Sequence, residues 1–513
     1  MAWTFEPKSL LASPDGAPRY EQIATAIEAA IARGELRLGD RLPTVRALAR
    51  QLDVSGASVA VAYSLLSRRG RVNAQVGRGT FVTAPSADDD SRMRDDSHAR
   101  GVPRPMPRRA SENSGSLLAA SWRRRALRFS SRLEALNPDA LICTASWPDP
   151  SLLPTDIVTR AYARVAEQLR PEDLQYTGPE AHPELANAIL PHLERDDIAI
   201  GPGDLVVMSS LRQVLTLTIQ IAPEFLGTGD LAVAVEEPGH HMVYDTVESL
   251  GHRLIGVQVD AQGVIPESLE AALGNGANLV VLTPRALNPT GASWTPTRRA
   301  AIADVLATQP GALVLEDDYF AGVSEHRPGS LLSDARLGQR TIHARSFSKS
   351  MGPDLRTTTV AARGRLRAQL RDAKLVTDGW NSRISQRALA IALSDPETEA
   401  AFARARQAYA ARRDAVTESL AARLPAGTVA PSPDGLNVWV NLPSSCNVQD
   451  VIHDAAELGV LVSSGEPFYL RPGQSNAVRL SISWVTTDEA RRAGEILASA
   501  ALAMEPVPVP IGV

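Results

Sequence analysis

From about residue 140 the chain alternates short apolar runs with helix-length amphipathic stretches, and that alternation leaves few folds open. Leu205-Val-Val-Met208, Leu231-Ala-Val-Ala-Val235, Leu279-Val-Val-Leu-Thr283 and Ala312-Leu-Val-Leu-Glu316 are each four or five residues long. They are too short for core helices and nearly free of polar positions, the pattern of strands buried on both faces of a largely parallel sheet. A doubly wound α/β domain is expected, with polar or Gly/Pro turns at the strand ends, where such sheets place their ligands. Beyond about residue 365 the pattern reads as one long helix and then a smaller α+β part. That part includes Leu436-Asn-Val-Trp-Val-Asn441 and Ala477-Val-Arg-Leu-Ser-Ile-Ser483.

The first 83 residues have a different texture. Ile23, Ile27, Ala30 and Ile31 share one helical face, and Gly34 ends that helix. Thr44 is a natural N-cap for a second helix with Val45, Leu48, Ala49 and Leu52 inward. A third helix is expected from Ser58 to Arg69, with Val59, Ala62, Leu65 and Leu66 inward, and two strand-like pieces follow at 71–74 and 79–83. Three short helices and a two-stranded wing make a winged helix-turn-helix. This places Arg46 for base edges, Ser55 and Ser58 for phosphates, and Arg78 for the minor groove.

Charge supports the division. Residues 1–83 carry 11 Lys/Arg against 7 Asp/Glu and residues 84–130 carry 10 against 6, while the remainder carries 32 against 45. A basic front on an acidic body is expected if the front alone meets a polyanion. Residues 84–139 read as a linker: the start is charged and aperiodic, and Pro103, Pro105 and Pro107 are interleaved with arginines. A chain of 513 residues with two cysteines, Cys143 and Cys446, suggests several domains in a reducing compartment. No basic n-region with an apolar core opens it and no run approaches a membrane span, so a cytoplasmic protein is expected.

One polar stretch can carry chemistry: Arg345-Ser-Phe-Ser-Lys349-Ser-Met-Gly-Pro-Asp-Leu-Arg356. A lysine amine freed by burial condenses with aldehydes, and Ser346, Ser348 and Arg356 suit a phosphate dianion. An aldehyde and a phosphate on one small molecule describe pyridoxal 5'-phosphate (PLP). By itself the stretch reads equally well as a polar surface loop. Residues at the predicted strand ends favour the first reading. Asp317 suits a pyridine nitrogen, Tyr319 and Asn288 suit the ring's phenolic oxygen, and Ser209-Ser210 open a helix suited to phosphate. Arg479 is a candidate clamp for a carboxylate.

The front resembles the DNA-binding domain of the GntR family through Tyr20-Glu-Gln-Ile23, Leu38-Gly-Asp-Arg-Leu-Pro-Thr-Val-Arg-Ala-Leu-Ala49, Val54-Ser55, Ala62-Tyr63, Leu66 and Gly77-Arg-Gly-Thr-Phe81. Residues 140–505 resemble the fold-type I aminotransferases, and the combination resembles the MocR subfamily of regulators. The resemblance implies a DNA operator contacted through Thr44, Arg46, Ser55, Ser58, Tyr63, Arg78 and Gly79. It also implies a Schiff-base link from Lys349 to PLP, with the phosphate on Ser209, Ser210, Ser346 and Arg356 and an amino effector's carboxylate on Arg479. A homodimer is implied in which each head leans on the other copy's body. Leu211 and Arg212 depart from the usual phosphate turn, and His240 stands where the family stacks an aromatic ring. Two other readings stay open: a working PLP-dependent aminotransferase with a DNA-binding head, and a regulator that has lost PLP for another ligand.

Overall fold

The computed structural model describes residues 19–52, 54, 59, 62, 63, 66, 71–75, 79–83 and 140–503. The chain divides into two compact units, Met1–Glu112 and Asn113–Val513.

In the first unit α1 (Arg19–Ala32) and α2 (Val45–Leu52) form where the apolar spacing predicts them. Gly34 takes a φ of 76°, the left-handed turn that ends a helix and that glycine adopts without a Cβ clash. Thr44 opens α2 as a cap, its Oγ1 accepting the Ala47 N–H at 3.3 Å. Ile23, Ile27, Leu48 and Leu52 bury against Val59, Ala62, Tyr63 and Leu66, the four helical residues described in the third predicted helix. Ile31 and Val45 are only half-buried, and Leu65 lies outside the described residues. β1 (Val72–Gln75) and β2 (Gly79–Val82) pair antiparallel, and Val72 opposite Val82 closes the same core.

The described part of the second unit opens with β3 (Leu141–Ile142). Its main sheet comprises β4 (Leu205–Met208), β5 (Ala232–Glu237), β6 (Arg253–Asp260), β7 (Gly263–Val264), β8 (Leu279–Leu282), β9 (Leu313–Asp318), β10 (Thr341–Ser346) and β11 (Thr358–Ala361). Among the described residues these form one sheet in the order β4-β11-β10-β9-β8-β5-β6-β7. The run from β10 through β6 is parallel, whereas β11 lies antiparallel between β10 and β4, so the sheet is mixed.

Helices cover both faces. α3 (Thr155–Glu167), α4 (Pro183–Glu194) and α10 (Arg383–Ser394) belong to one core. α5 (Leu211–Leu226), α6 (His241–Ser249) and α9 (Gly364–Thr377) belong to another, and α7 (Pro266–Gly274) with α8 (Pro296–Ala307) to a third. Strand alternation divides the work: Leu313 joins the core under α5, and its neighbour Val314 joins the one under α8.

The single long helix expected after residue 365 is three: α9, α10 and α11 (Thr398–Ala421). α9 stops at Asp378, and Gly379 follows with a φ of 74°. α10 stops at Asp395, which is extended because Pro396 disfavours helical backbone in the residue before it. The smaller part sets β12 (Asn437–Asn441), β15 (Ala477–Ser481) and β14 (Ser463–Ser464) in an antiparallel sheet. Residues of α12 (Val448–Glu457), α11 and α13 (Thr487–Leu502) share its core, and β13 (Val460–Leu461) pairs parallel with β3. Among the described residues no helix is long and apolar enough to cross a membrane.

Thr44→Ala removes the α2 cap and should cost the first unit about 1 kcal/mol. Hydrogen–deuterium exchange should show faster α2 amides with the second unit unchanged.

Candidate functional site

The carboxyl ends of the sheet strands converge on one open cleft of about 1040 Å³. Ser210 and Arg212 follow β4, His240 follows β5 and Asn288 follows β8. Asp317 and Tyr319 stand at the end of β9; Ser346, Ser348 and Lys349 stand at and beyond the end of β10. Arg356 lines the same space, and Arg479 enters it from β15. Ser209 is not among the lining residues, contrary to expectation. Its N–H and hydroxyl both donate to Gln213 Oε1, at 2.7 and 3.0 Å, which turns it into the helix start.

The Lys349 amine is half-buried and donates to the Ser146 carbonyl at 2.8 Å. Burial lowers its pKa from 10.5 to about 8; Asp317 opposes that shift and Arg479 adds to it. Asp317 is 5% exposed, and its Oδ1 has no hydrogen-bond partner among the described residues. Burial, then the charge of Asp318, raises its carboxyl to about 8 against the pull of Lys349 and His343. A buried carboxyl oxygen left bare beside a cleft is a seat for a cationic N–H.

Asp318, one residue on, is fully buried among opposite charges. Its carboxylate meets Arg285 Nε at 2.8 Å and Arg345 Nη2 at 2.7 Å, while Asp196 takes the same two guanidiniums at 2.9 and 2.6 Å. His343 lies between Glu316 at 2.8 Å and Asp318 at 3.3 Å. Burial would lower the His343 pKa, but the hydrogen bonds to Asp318 and Glu316 together outweigh it and raise it. For Asp318 likewise, Arg285, Arg345 and His343 outweigh burial and hold the carboxyl far below the usual range.

The remaining predicted residues make contacts of their own. Tyr319 donates its hydroxyl to the Ala286 carbonyl, and burial raises its pKa well above the ordinary value. Asn288 Oδ1 accepts from Arg479 Nη1 at 3.1 Å and from Asn437 Nδ2 at 3.4 Å. Arg479 also donates to the Thr144 carbonyl and lies 4.8 Å from the Phe468 ring centroid, with burial lowering its pKa to about 10. Ser210 caps α5, its Oγ accepting the Gln213 N–H at 3.4 Å, so an N-terminal helix turn faces the cleft. Ser346 Oγ donates to Ser348 Oγ at 3.0 Å and accepts its N–H at 3.2 Å. Arg356 is exposed and holds a φ of 48°, a left-handed conformation costly for a residue with a Cβ and common where a site dictates the backbone.

His240 caps α6, its Nδ1 accepting the Met242 N–H at 3.1 Å. That bond leaves the ring proton on Nε2. Burial, then His241, Lys349 and Arg479, lowers its pKa far enough to keep the ring neutral.

Several residues on and around the cleft escaped the sequence reading. Ser146, Trp147, Asn437 and Trp484 line it, and the Arg285–Asp318–Arg345 lattice lies beneath it. The lattice had one visible signal: charged residues alternating with apolar ones in Thr341-Ile-His-Ala-Arg-Ser346.

In the first unit Thr44 is a cap, Gly79 begins β2, and the Arg46 backbone lies in the first turn of α2. Ser55, Ser58 and Arg78 lie outside the described residues, as does the Arg46 side chain. Tyr63 requires a correction. It is 7% exposed, and its hydroxyl donates to the Pro43 carbonyl at 2.8 Å, so it belongs to the core and not to a DNA-facing surface.

Comparison with known proteins matches residues 149–497 to the aminotransferase class I and II family and residues 19–82 to the bacterial regulatory proteins of the gntR family. The vitamin B6 salvage pathway transcriptional repressor PtsJ of Salmonella typhimurium is 30% identical, over 91% of this chain and 95% of its own. The HTH-type transcriptional regulator TauR of Rhodobacter capsulatus is 28% identical over 86% of this chain and 87% of its own. Among solved structures, the kynurenine aminotransferase of Pyrococcus horikoshii superposes with a TM-score of 0.67 at 23% identity, covering 76% of this chain and 96% of its own.

Asp317→Asn tests the bare carboxyl. An acid held at about 8 instead of 3.8 loses stability as pH rises between those values, at about 1.4 kcal/mol per unit. The amide should therefore raise the stability of ligand-free protein at pH 7 by roughly 2–4 kcal/mol, and the gain should vanish near pH 4, as read by urea unfolding.

Proposed function

The chain belongs to the MocR-type regulators, a GntR-type DNA-binding head joined to a class I and II aminotransferase body, and we propose that this body holds PLP on Lys349 and reads an amino compound out to the head. The observation that carries the reading is the pairing of a lysine amine of lowered pKa with a bare, buried Asp317 oxygen in one cleft. The donor set fits the cofactor. Lys349 would hold its carbonyl carbon, Asp317 its ring nitrogen, and Tyr319 with Asn288 its phenolic oxygen. Ser210, Ser346, Ser348, Arg356 and the first turn of α5 would hold its phosphate. Neutral His240 offers an imidazole face and one N–H to the ring.

Bound there, PLP supplies an aldehyde that exchanges between primary amines and a ring that draws electrons. The chain's own residues set who arrives. Arg479, held by Asn288, the Thr144 carbonyl and the Phe468 ring, presents a fixed fork for a carboxylate. Attachment to a carbonyl carbon would take the Lys349 amine from the Ser146 carbonyl, and an incoming amine that took its place would return it as a free donor to that carbonyl. Such a swap becomes a signal only through a difference in affinity between two states of the protein. PtsJ, by its name a repressor of vitamin B6 salvage, is in keeping with a PLP-centred effector site.

A second copy of the chain completes the proposed regulator. Tyr176 is 89% exposed and Val376 86%, and the Tyr176 ring meets Trp380 edge-on at 5.5 Å. Exposed apolar groups of that size are what a partner surface covers. Two copies bring two heads to paired half-sites in a cytoplasmic setting.

Cofactor-free protein should take up PLP at a rate that rises with pH and levels off above about 8, because the unprotonated amine reacts; a plateau deferred to 10 would mean an ordinary lysine. Lys349→Ala should abolish the borohydride-fixed attachment. Arg46→Ala should weaken operator binding by about 1–3 kcal/mol in a mobility-shift assay and leave PLP absorbance unchanged. Many turnovers of an amino donor and a keto acid per site would instead make the body a working enzyme.

A further inference from the structure

We propose that the effector is a neutral α-amino acid with an aromatic or large apolar side chain, seated against Trp147 and Trp484 at the mouth of the cleft. The inference rests on the reading above for the amine and carboxylate ends and adds the third position.

Three consecutive features of one strip of chain place that position. Arg479 donates to the carbonyl of Thr144, Lys349 donates to the carbonyl of Ser146 at 2.8 Å, and Trp147 comes next. Adjacent Cα atoms are about 3.8 Å apart, so the Trp147 ring is rooted within one residue of the carbonyl holding the amine. The order along the strip is carboxylate clamp, amine, ring. Trp147 meets Trp484 edge-on at 5.4 Å and 73°, and Trp484 is pinned by its Nε1–H donating to the Pro148 carbonyl at 3.3 Å. Both rings line the cleft, yet Trp147 is 64% exposed and Trp484 38%. Two indoles held edge-to-face and still this exposed give the cleft an apolar wall on which an aromatic or large apolar side chain can pack.

Charge excludes the competing side chains. The cleft is lined by Arg212, Lys349, Arg356 and Arg479, and among the described residues lining it Asp317 is the one carboxylate. On the reading above Asp317 is committed to the ring nitrogen, so a cationic side chain would find no carboxylate among the described lining residues to pair with. A phosphate dianion and one α-carboxylate balance the three arginines. A second carboxylate would exceed that balance.

PLP-loaded protein titrated with L-phenylalanine, L-alanine, L-aspartate and L-lysine, followed by visible absorbance, tests the proposal. Phenylalanine should half-saturate at a concentration about tenfold or more below alanine, the size of an aromatic contact. Trp147→Ala and Trp484→Ala should each shrink the phenylalanine-to-alanine ratio to about threefold or less. Tighter titration by aspartate or lysine, or an unchanged ratio in both variants, would overturn it. Protein that takes up no PLP defeats the earlier reading separately. There, tryptophan fluorescence of the PLP-free protein decides: a response to phenylalanine that Trp147→Ala removes supports the wall, and silence rejects it.

Discussion

Everything at the cleft depends on the charge lattice centred on Asp318. Two strands that would otherwise be held by backbone bonds alone are cross-linked through facing side chains, since His343 stands opposite Glu316 and Arg345 opposite Asp318 in the register of β9 and β10. Arg285 and Asp196 tie the same cluster to the segment after β8 and the end of α4. Such a lattice adds little net stability against well-packed apolar side chains, but breaking one member leaves a buried charge uncompensated, at a cost of about 3–5 kcal/mol. Its consequence is positional. Because neighbours on a strand face opposite ways, fixing Asp318 below the sheet holds Asp317 up in the cleft.

The same alternation explains the electrostatic contrast between two adjacent aspartates. Asp318 has two guanidiniums and an imidazole, whereas Asp317 has a bare oxygen and the charge of its neighbour. One strand end thus holds a carboxylate that stays ionised and a carboxyl that waits for a cation. The lysine amine a few residues beyond β10 is held back from full charge by the burial that raises Asp317.

Much of this was legible in the chain. The apolar strands β4, β5, β8 and β9 announce themselves because they are buried on both faces, and the sites at their ends follow from the rule for such sheets. Strands β6 and β10 were not legible: β6 is mostly half-exposed, and in β10 His343 and Arg345 break the apolar run, their charge met only by tertiary partners. Tyr63 was carried over as a DNA contact by the resemblance alone, yet the Pro43 carbonyl satisfies its hydroxyl inside the core. Ser209 was paired with Ser210 because both open the helix, but only Ser210 caps it and lines the cleft, while Gln213 takes the hydrogen bonds of Ser209. The Trp147–Trp484 wall joins residues 337 positions apart in the chain, a pairing that no local pattern encodes.

The bare Asp317 oxygen has a bearing on how long a molecule lasts. A fold that keeps an uncompensated buried acid opens more readily when vacant than when a cationic ring sits on that acid, and the difference grows with occupancy by mass action. Proteases sample the opened state in proportion to its population. If the proposed cofactor fills that seat, vacant copies are cleared faster than filled ones, and the supply of the small molecule then sets the cellular amount of the protein.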